Sequence, residues 1–270
     1  MPQPKLLVEP EDVLALAREG AVLLDARAPA RYREGHLPGA VNVPVMAAFA
    51  VENGVRRMLP REKLAELFGR AGVNLDRPVV VYGERESVDA ANLFWALECL
   101  GHPDVRVLDG GIERWLREGF SLTHEVPSFE PKGLKVPANP DPEREPRVSG
   151  EWLRERLGDP EVQVVDNRTP EEYAGEERYA LRGGHIPGAR LLPYDRAMNP
   201  DGTFKAPEEI RALYEQVGVD PERTVVNYCQ TSTRSAHAYL AQRLAGFRDP
   251  KVYEGSWAEW GNDERFPVER

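Results

Sequence analysis

The chain is written twice, and that constrains its fold more than any other feature. The segment VLLDARAPARYREGHLPGAVNVP (Val22–Pro44) returns as VVDNRTPEEYAGEERYALRGGHIPGARLLP (Val164–Pro193). Asp25 and Arg27 correspond to Asp166 and Arg168, and His36 corresponds to His185. The second copy carries eight extra residues between these motifs, around Gly175 to Gly184. Further on, VVVYG (Val79–Gly83) matches VVNYC (Val225–Cys229), and VLDGGIERW (Val107–Trp115) matches VYEGSWAEW (Val252–Trp260). A repeat of about 140 residues is too long for a solenoid unit and reads as a duplicated domain.

Each copy alternates short β-branched runs with helix-like runs. In the first, the pattern predicts strands at Val22–Leu24, Val41–Val43, Val79–Tyr82 and Val105–Leu108. Helices are predicted at Pro10–Glu19, Arg61–Arg70, Val88–Leu100 and Ile112–Arg117, and the second copy follows the same order. Such alternation implies an α/β fold, with a parallel sheet flanked by helices in each half. Pro127, Pro131, Pro137, Pro140, Pro142 and Pro146 favour an extended linker between the halves. The predicted organisation is a first domain over residues 1–122, a linker over 123–145 and a second domain over 146–270.

Bulk properties narrow the function. A 41% apolar and 30% charged chain with no long apolar run is a soluble globular type, with neither a membrane helix nor a secretory signal. The net charge of −10 argues against nucleic acid or an anionic membrane as partner, and any anionic substrate must be drawn by a local positive field. Two distant cysteines give neither a disulfide framework nor metal-ligand spacing, so a reducing cytoplasm is the default.

The two copies serve as each other's control: shared features belong to the fold, and unshared ones are candidates for chemistry. His36 and His185 in GHLPGA and GHIPGA are shared, and read as part of a Pro-Gly turn. The Asp-x-Arg pairs read as strand-end ion pairs that pin a loop. The loop CQTSTRS (Cys229–Ser235) is different, because GERESVD (Gly83–Asp89) stands in its place. The first copy has glycine for cysteine and adds Glu84, Arg85 and Glu86, which predicts a silent half. In the second, a strand-to-helix turn points backbone N–H groups inward, and the helix beginning near Ser235 adds its positive end. Thr231, Ser232 and Thr233 supply hydroxyls, and Arg234 either faces an anion or braces the loop. Gln230 either contributes its N–H alone, with its side chain in solvent, or takes part directly. A thiolate at Cys229 is the nucleophile such a cradle would serve. His237 lies too far along the helix to act as its base, and Cys99 reads as a buried small hydrophobe. Arg178 and Arg182 in the insertion either recruit a donor or are simply solvated, and Trp257 belongs either to the cleft or to the core.

These ordered motifs, spread over nearly the whole chain, resemble the rhodanese family, specifically its tandem-domain sulfurtransferases. The loop is similar to that of a bacterial subgroup with Cys-Gln-Thr-x-x-Arg-Ser. The resemblance implies two tandem rhodanese-like domains, with sulfane sulfur moved from thiosulfate or a similar small anionic donor to cyanide or a thiol through a persulfide on Cys229. Gln230, Thr231, Ser232, Thr233, Arg234 and Ser235 would hold that persulfide, with no metal or organic cofactor, in a chain able to work as a monomer. The alternatives are a mercaptopyruvate sulfurtransferase, a rhodanese-like phosphatase and a non-catalytic binding module. Mercaptopyruvate enzymes tend to carry Cys-Gly-x-Gly and an arginine before the aromatic that follows Asp-x-Arg, whereas here Glu172 precedes Tyr173. Cys229 to Arg234 is Cys-x4-Arg, one residue shorter than the phosphatase loop. An intact Cys229 counts against a pure binding module.

Overall fold

The computed structural model describes residues 5–128, 133–134 and 145–270. Most of the expected linker, including Pro131, Pro137, Pro140 and Pro142, lies outside them. Two compact units form, and each borrows a short segment from the other repeat. The first includes Pro200–Phe204, and the second includes Val51–Arg57.

In the first unit, strands β1 (Leu7–Val8), β2 (Val22–Asp25), β3 (Val41–Asn42), β6 (Val79–Tyr82) and β7 (Val105–Leu108) make one parallel sheet in the order β1-β7-β6-β2-β3. Val79, Val80, Val81 and Tyr82 are all buried, as expected of a central parallel strand, so this run is continuously apolar instead of alternating. Helices α1 (Pro10–Arg18), α2 (Pro29–Glu34), α3 (Arg61–Arg70), α4 (Val88–Cys99) and α5 (Gly111–Arg117) accompany the sheet. Proline at the first turn of α1 and α2 suits helix starts, where its missing N–H has no partner to lose. The sequence pattern missed β1, α2 and the hairpin of β4 (Phe49–Glu52) and β5 (Val55–Met58). All are short, and the two strands of the hairpin make a two-stranded sheet of their own among the described residues.

The second unit repeats the plan. Strands β8 (Arg147–Val148), β9 (Val162–Asp166), β10 (Arg190–Leu191), β11 (Thr224–Tyr228) and β12 (Asp249–Tyr253) take the order β10-β9-β11-β12-β8, which is the first sheet read from its other edge. Helices α6 (Gly150–Arg154), α7 (Pro170–Ala174), α8 (Pro207–Gln216), α9 (Thr233–Leu244) and α10 (Ser256–Trp260) accompany it. Its core gathers Val164, Ile186, Val226, Tyr228, Tyr253, Trp257, Trp260 and Phe266. From β9 the chain proceeds toward one edge and from β11 toward the other, so a crevice opens between their carboxyl ends, the usual ligand position in such sheets.

One network recurs at that end of both sheets. Arg168 donates to both oxygens of Asp166 and to the carbonyl of Gly184, and the Tyr228 hydroxyl also donates to Asp166. Arg27, Asp25, Gly35 and Tyr82 repeat it. The histidines behave alike too: His36 and His185 each set Nδ1 3.0 Å from a carbonyl, of Tyr32 and Tyr173, and stack on that tyrosine. Both motifs therefore fasten loops.

Candidate active site

Cys229 follows β11 directly, at the switch point, and is 1% exposed. The turn from Cys229 into α9 passes through Ser232, whose backbone is left-handed at φ 63°. A non-glycine residue there costs about 1 kcal/mol or more, so other contacts must hold it. The chief one is Ser256, itself left-handed at φ 51°. Its Oγ accepts the amide hydrogens of Cys229 (3.3 Å) and Ser232 (3.0 Å) and donates to the carbonyl of Tyr253. The Trp257 and Ala258 amides then donate to the carbonyls of Cys229 and Gln230. The start of α10 thus clamps the loop from below.

With their carbonyls so engaged, the loop amides are left over. Among the described residues, those of Gln230, Thr231, Arg234 and Ser235 have no protein acceptor. Successive unfilled N–H groups beside a helix N-terminus make an anion site. Ser235 Oγ lies 3.8 Å from the Cys229 sulfur and donates to the Ser232 carbonyl. The hydroxyls of Thr231 and Thr233 lie 3.3 Å apart, and Ser232 Oγ turns back onto the Thr231 carbonyl. Gln230 does not project freely into solvent: its Nε2 donates to the Tyr179 carbonyl of the insertion.

Arg234 is held, not loose. Its two terminal nitrogens donate to the two carboxylate oxygens of Glu172, at 2.6 and 2.8 Å. Burial opposes its charge, but the Glu172 bonds and the neighbouring Cys229 sulfur hold its pKa above the usual arginine value. Glu172 is only 2% exposed. Burial works against its charge too, yet Arg234 and the Thr169 amide keep its pKa below the usual carboxylate value. Glu172 also closes a capping box with Thr169 at the start of α7. A second guanidinium reaches the loop from Val51–Arg57: Arg56, 7% exposed, sets Nη1 3.2 Å from Ser232 Oγ.

Sequence reasoning named the loop but missed Glu172, Ser256 and Arg56 as its supports. The Thr169-x-x-Glu172 capping pattern was readable, whereas nothing local marks Arg56. Arg182 is a brace, donating to the carbonyls of Gly261, Trp260, Asp263 and Phe266, while Arg178 donates to the Gly175 carbonyl. Trp257, 1% exposed and under the Arg168 guanidinium, belongs to the core. His237 is buried within α9 with its ring edge-on to Tyr194, and Cys99 is buried in α4. The helix starts at Thr233, two residues earlier than the sequence suggested, because Ser232 serves as its N-cap position.

The counterpart loop of the first repeat differs in sequence and in length. Gly83 follows β6 in the register Cys229 has after β11, since Tyr82 pairs with Asp25 as Tyr228 pairs with Asp166. Its left-handed serine is Ser87, φ 52°. The loop of the first repeat is therefore one residue longer than the cysteine loop, which corrects the ungapped pairing and makes Asp89, not Val88, the counterpart of Arg234. Gly111 (φ 60°) stands where the other repeat has Ser256, and a Cβ there would lie 2.4 Å from the Glu84 carbonyl oxygen. Glu113 replaces Ala258 and, with Glu84, Glu86 and Asp89, lines the pocket beside this loop.

A lone cysteine at the switch point of a parallel sheet, cupped by amides and hydroxyls, defines an α/β domain equipped for covalent cysteine chemistry. The rhodanese-like domain model matches residues 9–118 and again 149–263, and the chain belongs to that family as a tandem pair. It is 40% identical to a sulfur carrier protein, TtuD, of Thermus thermophilus, over 88% of this chain and 86% of the relative. It is 36% identical to a thiosulfate sulfurtransferase of Azotobacter vinelandii, over 98% and 97%. Among solved structures, an anaerobic ergothioneine biosynthesis enzyme from Chlorobium limicola, in complex with trimethyl histidine, aligns with TM-score 0.86 and 26% identity, covering 98% of this chain and 70% of that one. A form of EanB carrying a cysteine persulfide aligns equally, with TM-score 0.86, 26% identity, and coverage of 98% and 70%. Among the described residues no group of three His, Cys, Asp or Glu could hold a metal, and no helix is long and apolar enough to cross a membrane.

Proposed function

We propose that this protein is a sulfurtransferase of the thiosulfate type, working through a persulfide on Cys229. The thiolate attacks the outer, sulfane sulfur of the donor. A new S–S bond forms, the donor's S–S bond breaks, and sulfite leaves with the bonding pair. A thiolate or cyanide acceptor then attacks the outer sulfur of the persulfide, and the Cys229 thiolate returns. The sulfur's electron pairs account for both steps, so the scheme calls on no metal or organic cofactor.

The observation that carries this reading is the set of unfilled loop amides around a buried cysteine, matched by a relative named thiosulfate sulfurtransferase along nearly its whole length. In this reading the amides of Gln230, Thr231, Arg234 and Ser235 receive the outer persulfide sulfur or the sulfite oxygens, the Ser235 hydroxyl turns from the Ser232 carbonyl to donate to the sulfur, and Thr231, Thr233 and Arg234 line the cradle. Ser232 shapes the turn. The first domain, residues 1–122 with Gly83, is silent, the stretch 123–145 links it, and the catalytic domain spans 146–270. A nucleophile that depends on its free thiolate suits a reducing cytoplasm, and all the proposed catalytic groups come from one chain.

The test is intact mass without reductant after incubation with thiosulfate. A gain of one sulfur that cyanide removes, absent in Cys229→Ala, is expected. No adduct on the wild-type protein would overturn the assignment.

A further inference from the structure

We propose that Glu172 sets the charge of the Cys229 cradle, attenuating Arg234 so that the site favours sulfane donors of low charge, such as an organic persulfide, over the thiosulfate dianion. The inference rests on the reading of Cys229 as the nucleophile.

Three observations converge on it. Glu172 grips Arg234 at both nitrogens, and Arg234 is the one cation within the loop itself. The pair is sheltered, with side-chain exposures of 23% for Arg234 and 3% for Glu172, so solvent screens the carboxylate weakly. The carboxylate is also fixed from behind, because its Oε2 takes the Thr169 amide in the capping box. Glu172 therefore cannot swing away when an anion arrives. Arg56 also reaches the loop, on its Ser232 side, and the Glu172 carboxylate takes one unit of charge away from the cradle that Arg234 enters. A dianion loses more from that subtraction than a monoanion does, in proportion to its charge.

Glu172 acts through Arg234 and is a positioning residue, which makes the neutral isostere informative. Glu172→Gln keeps the chain length, keeps an oxygen for the Thr169 amide and keeps one acceptor for Arg234. It removes the charge and, with it, one of the two Arg234 bonds, so the salt dependence is what isolates the charge. The local potential is read by alkylating Cys229 with iodoacetate, an anion, and with iodoacetamide, its neutral analogue, and mapping the product by peptide mass. The ratio of the two rates is expected to rise about three- to tenfold in Glu172→Gln, and to fall back toward the wild-type ratio in high salt. The KM for thiosulfate should fall while kcat changes little. Glu172→Asp, which restores the charge, should return the ratio to the wild-type value. Thr169→Val, which breaks the cap but leaves the carboxylate, controls for a merely structural role and should leave the ratio unmoved.

An unchanged ratio in Glu172→Gln overturns the proposal. So does an equal loss of rate with both reagents together with a raised KM, because that marks Glu172 as a brace alone. Alkylation needs no sulfur donor. A shifted ratio in a protein that never forms a persulfide would thus sink the sulfurtransferase reading and leave the charge assignment standing.

Discussion

Ser256→Ala tests whether the loop is held from beneath as described. The Ser256 hydroxyl accepts two amide hydrogens and donates to one carbonyl, all within a fully buried setting. Removing it strands the Cys229 and Ser232 amides. A buried unsatisfied group costs about 1–3 kcal/mol, so the pair implies roughly 2–4 kcal/mol once some relaxation is allowed. Alanine also keeps a Cβ at φ 51°, a conformation that glycine adopts with about 1 kcal/mol less strain. Ser256→Gly should accordingly lose about 1–3 kcal/mol, less than Ser256→Ala. That order reverses the usual ranking, in which alanine is the gentler replacement. Urea unfolding followed by tryptophan fluorescence measures both, and persulfide yield per Cys229 measures the loop itself, expected to drop in parallel. If alanine proves as stable as wild type, or glycine the worse of the two, Ser256 does not pin this loop.

Two further outcomes follow from the first unit. Asp109 accepts the Phe204 amide and faces Arg114, and burial pushes its pKa up to about 6. The folded form therefore holds its proton more tightly than the unfolded chain, and ionisation costs stability. The wild-type stability relative to Asp109→Asn should fall as pH rises from about 4 to about 6 and then level off, by up to roughly 3 kcal/mol. A difference that stays flat across that window contradicts this environment. In a second experiment Gly83→Cys is combined with Cys229→Ala. A Cβ at Gly83 would come no closer than 3.3 Å to the Ala90 nitrogen, so the protein should fold. It should take up no sulfur from thiosulfate, because Asp89 takes the place that Arg234 has in the other repeat and the carboxylates of Glu84, Glu86 and Glu113 line the same pocket. A one-sulfur mass gain on the peptide that carries the Gly83→Cys substitution would show that the missing cysteine alone keeps this half silent.

Much of the architecture was legible because it is written locally. Buried parallel strands need continuous apolar runs, so Val79–Tyr82 and Val105–Leu108 could be placed to the residue. Short pieces without such runs, β1, α2 and the β4–β5 hairpin, left no comparable trace. The duplication went further and separated loop-fastening motifs from the cysteine loop without any structure. Pairing the two loops residue by residue failed by one position, since the offset shows only in the left-handed backbones of Ser87 and Ser232.

The sequence by itself determined that two α/β domains stand in tandem, that one carries a cysteine at a strand end, and that hydroxyls and an arginine follow it. These depend on side-chain periodicity and on residue types within a few positions of each other. Only the tertiary structure decided what the arginine faces, what supports the turn and which segments join which unit. Glu172 and Arg234, Ser256 and Cys229, and Arg56 and Ser232 are distant in the chain and meet because separate loops return to the same end of one sheet. Local pattern cannot encode such meetings: they depend on strand order and on where each loop comes to rest.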